Sequence, residues 1–268
     1  MKAYLNYFKL RVLTNLQYRA SALAGIFTQL FFGFVYIMVY LALYESNKIS
    51  NVPMNLNEII TYLWLQQAFF ALNYPYTKDK ELLDMITNGN LAYELVRPQN
   101  FYFKFYIKMI SERLTAAMLR SLPIIICALL ISSPYKMSAP ASLENLIIFV
   151  ISLLFSCLLV TAFSMIIHVL TIYLLDSRGI VTAYYVLVDL FMGGIVPIPF
   201  FPTWLRKIAY ALPFRYISDF PYRIYSGSIV LTEGKILLIK SLSWIIVTVC
   251  IGFLISKKVL RKAVIQGG

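Results

Sequence analysis

The residues that could do chemistry in this sequence are few and widely separated. The chain has one histidine, His168, which lies in the middle of a long apolar stretch. A protein zinc site needs three or four ligands, so we expect this histidine to be packed and hydrogen-bonded instead. The three cysteines, Cys127, Cys157 and Cys250, lie in apolar runs at spacings that fit neither a disulfide framework nor a metal site. We therefore predict no catalytic residue and no metal site in this chain.

Two charged residues interrupt long apolar stretches. Asp189 follows Tyr184 to Val188, and Arg120 lies about two turns into another such stretch. Charged side chains in this setting face a polar pathway, pair between helices or extend to the membrane surface. We interpret Asp189 either as a pathway residue or as a structural contact, and Arg120 either as a pathway residue or as a side chain that reaches the inner interface.

The composition is typical of an integral membrane protein. Of the 268 residues, 60% are hydrophobic and 13% are charged, whereas about 25% of a soluble domain is charged. The net charge is +12, but the basic residues flank apolar runs and form no dense patch. This distribution favours anchoring in a lipid bilayer over binding to nucleic acid. The glycine-rich phosphate loop of common ATPases is absent, so the chain cannot bind and split ATP in that manner.

Six apolar stretches approach or exceed the 20 or so helical residues that cross a bilayer. The second stretch is the least apolar because it contains Gln66 and Gln67, and the fourth is long enough to tilt or protrude. The fold class is therefore an all-α integral membrane protein, with a single transmembrane domain over residues 1–268. The predicted spans are 21–44, 59–76, 114–132, 146–175, 179–201 and 236–255.

The distribution of Lys and Arg near the spans predicts that both termini are cytoplasmic. This orientation places on the inner side the basic residues of the N-terminal segment, of the segment between spans two and three, and of the C-terminal tail. Five basic residues after span five count against it, unless their segment folds as a structured external element. They are Arg206, Lys207, Arg215, Arg223 and Lys235.

Residues 1–20 are predicted to form an amphipathic helix on the inner membrane surface. Leu5, Phe8, Val12 and Leu16 recur at helical spacing, with most of the basic residues off that stripe. The polar segment 77–113 is predicted to contain two short helical elements. Gly89 would end the first, and the second must end before Pro98.

Residues 197–235 are predicted to form short re-entrant helices that dip into the outer interface. Pro199, Pro202, Pro213 and Pro221 prevent one continuous helix. The apolar face of these helices would comprise Leu205, Ile208, Ala209 and Leu212.

Three stretches, in this order and at these distances, resemble the type-2 ABC transporter permeases, and more closely their daunorubicin-resistance-related branch. They are residues 15–20 before span one, 89–98 after span two, and 200–205 followed by 212–216 before span six. The resemblance covers essentially the whole chain. It implies a multi-pass protein of a bacterial plasma membrane, which forms the pathway of an exporter with a second, identical or related, permease subunit.

The resemblance also implies that the chain binds no cofactor itself. ATP and Mg²⁺ would be bound by a separate pair of ATPase subunits, and the segment after span two would dock on them as a coupling helix. The N-terminal helix would make a second, lesser contact. The docking residues map to Leu82, Ile86, Gly89, Leu91, Glu94, Leu95, Arg97 and Pro98. In the alternative interpretation this segment is only a solvated loop.

The predicted pathway residues are Gln66, Gln67, Arg120 and Asp189, with Tyr62, Asn73, Thr28 and Gln29 as further polar neighbours. Ordinary hydrogen bonding between helices is the alternative role for these side chains. The main rival function is an ion-coupled secondary transporter without an ATPase, which would use Asp189, Arg120 and the break at Gly193 and Gly194. An enzyme acting on lipid is disfavoured by the missing catalytic cluster, and a non-transporting anchor or immunity protein stays open.

Overall fold

The computed structural model describes residues 2–17, 19–46, 52–75, 79, 81–82, 85, 93–94, 96, 98–171 and 178–262. These residues form helices and connecting turns, with no β-strand among them. The first six helices are α1 (Lys2–Asn15), α2 (Arg19–Glu45), α3 (Leu56–Ala68), α4 (Phe70–Asn73), α5 (Phe101–Leu130) and α6 (Leu143–Thr171). They are followed by α7 (Arg178–Phe191), a 3₁₀ turn (Ile198–Phe200), α8 (Thr203–Ala211), a second 3₁₀ turn (Pro213–Tyr216), α9 (Asp219–Ser226) and α10 (Leu231–Lys262).

Within the described residues, four helices are long and apolar enough to cross a membrane, namely α2, α5, α6 and α10. Large apolar side chains such as Phe27, Leu130 and Ile239 point outward from them. Water would oppose this arrangement and a bilayer favours it, which confirms the all-α membrane fold. α7 is a shorter apolar helix. α5 begins at Phe101, well before the apolar stretch from which its span was predicted.

α3 lies at the centre of the bundle, in contact with α2, α5 and α9. Nine of its 13 residues are buried, including Trp64, whose indole N–H donates to the carbonyl of Tyr135 at 2.7 Å. Gly33 of α2 permits this packing, because a Cβ there would lie 2.7 Å from the Trp64 ring. The helix stops at Ala68 and resumes at Phe70 as the short α4, so the second predicted span is interrupted.

The start of α3 is closed by a capping box. The Asn55 side chain accepts from the Glu58 backbone N–H, and the Glu58 carboxylate accepts from the Asn55 N–H, both at 2.9 Å. We expect Asn55→Ala to lower the free energy of unfolding by about 1 kcal/mol, measured by denaturant unfolding in detergent. Glu58→Gln is the matched control, since glutamine can make the same bond and should cost much less. Equal losses from both variants would contradict this account.

The N-terminal helix α1 packs on the first half of α5. The Tyr4 hydroxyl accepts from the backbone N–H of Asn100, and Tyr7 lies beneath the Lys104 ammonium. The predicted stripe is wrong at Leu5, which is 58% exposed. The face of α1 that packs is rotated toward Tyr4, Tyr7 and Arg11, because these side chains make polar contacts. A prediction from apolar residues alone does not include such contacts.

The proline-rich segment (residues 197–235) contains short helices, as predicted, and a proline lies at or directly before the start of three of them. Pro213 opens the second 3₁₀ turn and Pro202 directly precedes α8, positions where the missing N–H costs nothing. In α8 Ala209 is buried and Leu205 is half-buried, but Ile208 is 45% exposed, so the predicted apolar face is narrower than expected. α9 packs against α3 and α6.

Candidate functional site

A cavity of about 330 Å³ brings together three of the four predicted pathway residues. Gln66 and Gln67 contribute from α3, and Asp189 contributes from α7. The other polar lining includes Thr28, Gln29, Asn73 and Ser218, and the aromatic lining includes Phe32, Tyr36, Phe70, Tyr74 and Tyr185. Among the described residues, the half-buried carboxylate of Asp189 has no hydrogen-bond or ion-pair partner. The cavity is therefore polar, aromatic and acidic.

The chain turns sharply where α7 ends at this cavity. Gly193 adopts a φ of 82°, in the left-handed region that favours glycine. Its carbonyl accepts from the buried Tyr62 hydroxyl at 3.1 Å, and the Gly194 carbonyl accepts from the Gln66 amide. A Cβ at Gly193 would lie 2.7 Å from the Tyr62 hydroxyl. Gln66 thus combines two roles, since it lines the cavity and fixes the turn.

Arg120 lies apart from this cavity, between α5 and α2. Its guanidinium packs over Gly25, where a Cβ would lie 2.7 Å from the guanidinium carbon, and its Nη2 donates to the Ser21 carbonyl at 3.4 Å. Arg120 therefore makes a contact between helices. The structure separates it from the other three predicted pathway residues.

The connecting segment (residues 75–98) joins α4 to α5, and its described residues are held against α5 and α6 by buried polar contacts. At its start, Arg113 Nη1 donates to the carbonyls of Leu72 and Tyr74 at 2.9 and 2.6 Å, which satisfies the end of α4. Arg113 Nη2 also donates to the Ser164 hydroxyl, which itself donates to the Pro75 carbonyl, each at 2.9 Å. One buried arginine thus joins α4, α5 and α6.

The next contact along the connecting segment is centred on Lys108. Its ammonium donates to both carboxylate oxygens of Asp79 at 2.7 and 2.8 Å and lies 2.9 Å from Glu81. The Asp79 backbone N–H donates to His168 Nε2 at 3.2 Å, while His168 Nδ1 lies 2.8 Å from the Ser164 carbonyl. This confirms that His168 is a packed, hydrogen-bonded residue. In the part of the chain that the structure describes, no three metal-ligating side chains come together.

Glu81 links this contact to the N-terminal helix. Arg11 of α1 donates from Nη2 to both Glu81 carboxylate oxygens, at 2.9 and 2.8 Å. Partial burial alone would raise the pKa of Glu81, but Lys108 and Arg11 outweigh it and hold that pKa below its usual value. The carboxylate is therefore charged above its usual pKa, and the interaction is lost only as the pH falls through the lowered value.

The predicted docking residues divide into inward-facing, exposed and undescribed positions. Leu82 is fully buried in a cluster with Phe105 and Met109, and Glu94 is buried in an ion pair with Lys104. Pro98 is exposed. Ile86, Gly89, Leu91, Leu95 and Arg97 lie outside the described residues.

Two exposed apolar residues of the same segment were not singled out from the sequence. Tyr93 is 72% exposed and Val96 is 83% exposed. Glu94, directly after Tyr93 in the chain, faces inward instead. Tyr93 and Val96 therefore present an apolar surface on a segment that is fastened to the bundle.

Sequence reasoning also missed the residues that fasten the connecting segment. Lys104, Lys108 and Arg113 were counted only as inner-side charges, although Lys104 and Lys108 are four residues apart and therefore share one face of a helix. On α6, Ser156, Ser164 and His168 are separated by multiples of four within an otherwise apolar helix. Polar residues at this spacing form a stripe, which was the available signal that α6 faces polar partners.

Three of the five basic residues that counted against the predicted orientation have partners within the proline-rich segment, and the first of them, Arg206, donates from Nη1 to the Pro199 carbonyl at 3.2 Å. The Arg215 guanidinium carbon lies 4.1 Å from the Tyr210 ring centroid. Arg223 lies 3.5 Å from the fully buried Asp219 and donates to the Tyr210 hydroxyl at 3.1 Å. Because these cations have partners within the chain, they count less against the orientation predicted from the distribution of Lys and Arg.

Long apolar helices around a polar cavity, with a fastened segment at one end of the bundle, are typical of polytopic membrane transport proteins. The family model for the ABC-2 family transporter protein matches residues 19–267 of this chain. The chain therefore belongs to the ABC-2 transporter family, and it is a membrane permease rather than a catalytic subunit. This confirms the predicted permease family, while the daunorubicin-resistance-related branch stays a prediction. A comparison with curated proteins finds no match.

Proposed function

We propose that this chain is the membrane subunit of an ATP-driven exporter. It forms the translocation pathway with a second permease subunit and is driven by a separate pair of ATPase subunits, which bind ATP and Mg²⁺. The family match supports the permease role. The single observation that carries the coupling to an ATPase is the fastening of the connecting segment. Arg113, Lys108 and Lys104 hold it to α5 and α6, and Arg11 holds it to α1.

The proposed topology has six spans in a bacterial plasma membrane, with both termini cytoplasmic. α3 and α4 together cover residues 56–73, about 27 Å at 1.5 Å per residue, and form the second span. α7 and the turn after it form the fifth. The proline-rich segment is re-entrant from the outer side. In support, Ser156, near the middle of α6, donates to the carbonyl of Ile217, and Asn73 donates to the Tyr222 hydroxyl.

The length of α5 supports its role in transmitting motion. Its 30 residues extend about 45 Å, whereas a bilayer core is about 30 Å thick. The first part of α5 therefore extends beyond the core on the cytoplasmic side, where it carries Lys104 and Lys108. A push on the connecting segment is transmitted to α5 and α6 as a rigid-body movement, because buried ion pairs leave little freedom between them.

We assign different roles to the residues of the connecting segment according to their burial. Leu82 and Glu94 hold the segment to the bundle, since both face inward. Tyr93 and Val96 are the exposed apolar anchors for the ATPase, and together with Leu91, Leu95 and Arg97 they form the docking surface. Exposed apolar side chains on a rigid support are typical of interface anchors.

The polar cavity is proposed as one half of the pathway. α2 and α7 flank it and carry exposed apolar side chains such as Phe31 and Val186. A second permease subunit placed against α2 and α7 would close the cavity from the other side. Gln66, Gln67 and Asp189 would then face the cargo from this subunit.

One observation favours the rival function. Asp189 is a carboxylate in the cavity without a partner among the described residues, as expected of an ion-binding residue in a secondary transporter. A carrier of this kind would lose transport on Asp189→Asn and would need no ATPase.

The test is affinity purification of the tagged chain in mild detergent, followed by measurement of co-purifying ATPase activity. We expect a stoichiometric ATPase to co-purify with the wild-type chain. The double variant Tyr93→Asp/Val96→Asp should reduce the co-purifying ATPase activity more than tenfold. Burying an apolar side chain contributes about 1.5–3 kcal/mol, and an introduced charge in the interface adds to the loss. Val52→Asp/Val230→Asp changes two exposed valines outside the connecting segment and should retain the ATPase.

Purification of the chain alone in every detergent would count against the exporter. In that case, the secondary transporter would be established if a proton or sodium gradient drives transport and Asp189→Asn abolishes that transport.

A further inference from the structure

A second cleft, which meets the central cavity at Phe70 and Tyr74, lies between α5, α4 and the start of α2. It consists of two adjoining pockets of about 280 and 200 Å³ that share Glu112, Ala116 and Arg120. These three residues are four apart and therefore lie along one face of α5. Asn15, at the end of α1, closes the cleft on one side. The small side chain of Ala116 leaves the space between the acidic and the basic residue open.

The cleft presents hydrogen-bond donors that lack acceptors. Within the described part of the chain, the Arg120 guanidinium makes a hydrogen bond of 3.4 Å to the Ser21 carbonyl. The buried Nε of Arg120 has no hydrogen-bond partner in that part of the chain. The buried Nδ2 of Asn15 likewise has no partner. Buried donors without acceptors cost free energy, and a guanidinium pairs most strongly with a phosphate or a carboxylate. These two donors call for an anion.

The cleft also presents an acceptor that is poorly neutralised. Among the described residues, the cation nearest to Glu112 is Lys108 at 3.9 Å, but Lys108 lies closer to Asp79 and Glu81, at 2.7 and 2.9 Å. Arg113 lines the cleft too, yet its Nη groups are already donated to backbone carbonyls and Ser164. Glu112 therefore retains capacity for a further cation.

We propose that this cleft binds the headgroup of an aminophospholipid, phosphatidylethanolamine. The phosphate would accept from Arg120 and Asn15, and the ammonium would donate to Glu112. Polar clefts between membrane helices at the bilayer surface are suited to lipid headgroups. The site requires only that α5 crosses the bilayer, so it does not depend on the proposed ATPase partner.

The order of the residues along α5 matches the order of groups in a phospholipid. The apolar part of α5 follows Arg113, so Arg120 lies deeper in the bilayer than Glu112. In a lipid the phosphate lies deeper than the amine that it carries. The exposed Ile126 and Leu130, 14 and 18 residues after Glu112 and therefore close to its face of α5, provide a surface for the acyl chains. A water-soluble phosphoethanolamine has the same polar groups but gains nothing from these apolar residues, which favours the lipid.

The test is native mass spectrometry of the purified full chain after exchange into vesicles of phosphatidylethanolamine or phosphatidylglycerol with identical acyl chains. We expect the wild-type chain to retain phosphatidylethanolamine preferentially. Arg120→Gln should reduce this retention about tenfold, as expected for a lost charge-assisted bond. Glu112→Gln should abolish the preference between the two lipids. Lys258→Gln, at an exposed lysine of α10, should change neither result.

Ala116→Leu tests the cleft without removing either charge. The larger side chain fills the space between Glu112 and Arg120, so we expect loss of the retained lipid with an unchanged circular dichroism spectrum. Equal retention of both lipids by the wild-type chain would overturn the proposal. The proposal would also be overturned if Arg120→Gln and Ala116→Leu retained as much lipid as the wild-type chain. Complete displacement of the lipid by an equal concentration of free phosphoethanolamine would overturn the assignment to a lipid.

Discussion

Lys108→Met is expected to lower the free energy of unfolding by about 3–5 kcal/mol, the usual cost of removing one partner from a buried ion pair. Lys108 is 3% exposed, and Asp79, its closest partner, is 6% exposed. Without the ammonium the Asp79 carboxylate stays buried and, among the residues that the structure describes, keeps only the N–H of Leu82 as a donor. Glu81 loses Lys108 but stays paired with Arg11.

The measurement is denaturant unfolding in detergent, with Lys258→Met as the matched control because Lys258 is exposed on α10. The double variant Lys108→Met/Asp79→Asn should recover part of the loss, since the unpaired charge is then absent. Comparable stability of Lys108→Met and Lys258→Met would show that the ion pair does not hold the connecting segment.

Trp64→Ala is expected to lower the free energy of unfolding by about 3 kcal/mol or more, as large-to-small substitutions do in a packed core. The Trp64 side chain is fully buried, meets the Phe34 ring edge-on at 5.4 Å and donates to the Tyr135 carbonyl. In a membrane the loss comes from packing and from the hydrogen bond, because lipid already solvates apolar groups. The removed ring would leave a cavity at the centre of the bundle.

Trp204→Ala is the matched control for this prediction. Trp204 lies on α8 and is 65% exposed, so its removal should change stability by less than about 0.5 kcal/mol. Both variants would be compared by thermal unfolding in the same detergent. Similar losses for Trp64→Ala and Trp204→Ala would contradict the central position of α3.

Hydropathy located the helices that face lipid but gave only a weak signal for α3, the helix at the centre. α2, α5, α6 and α10 satisfy the requirement for an apolar span because lipid surrounds part of each. α3 contains Gln66 and Gln67, and its break at Phe69 could not be read from the sequence. Its neighbours shield α3 from lipid, so its composition is under weaker constraint and carries a weaker signal.

The grouping of candidate residues was partly predictable. Polar residues of the second and fifth predicted spans, Gln66, Gln67 and Asp189, do line one cavity. Arg120 does not, because membership of a cavity depends on how α5 is rotated against α2. A sequence shows that a charge lies in an apolar stretch, but it does not show which way that charge points.

By itself, the sequence determined that lipid is the solvent of this protein, that its structure is helical, and where the polar connecting segment lies. Those properties depend on residues close together in the chain, since the transfer of a helix into lipid is roughly a sum over its residues. The tertiary structure alone decided that Lys108 pairs with Asp79, that His168 binds the Asp79 backbone, and that Arg120 lies apart from Asp189. The first two contacts join residues 29 and 89 positions apart, and such pairings exist only after the helices have packed and fixed their rotation.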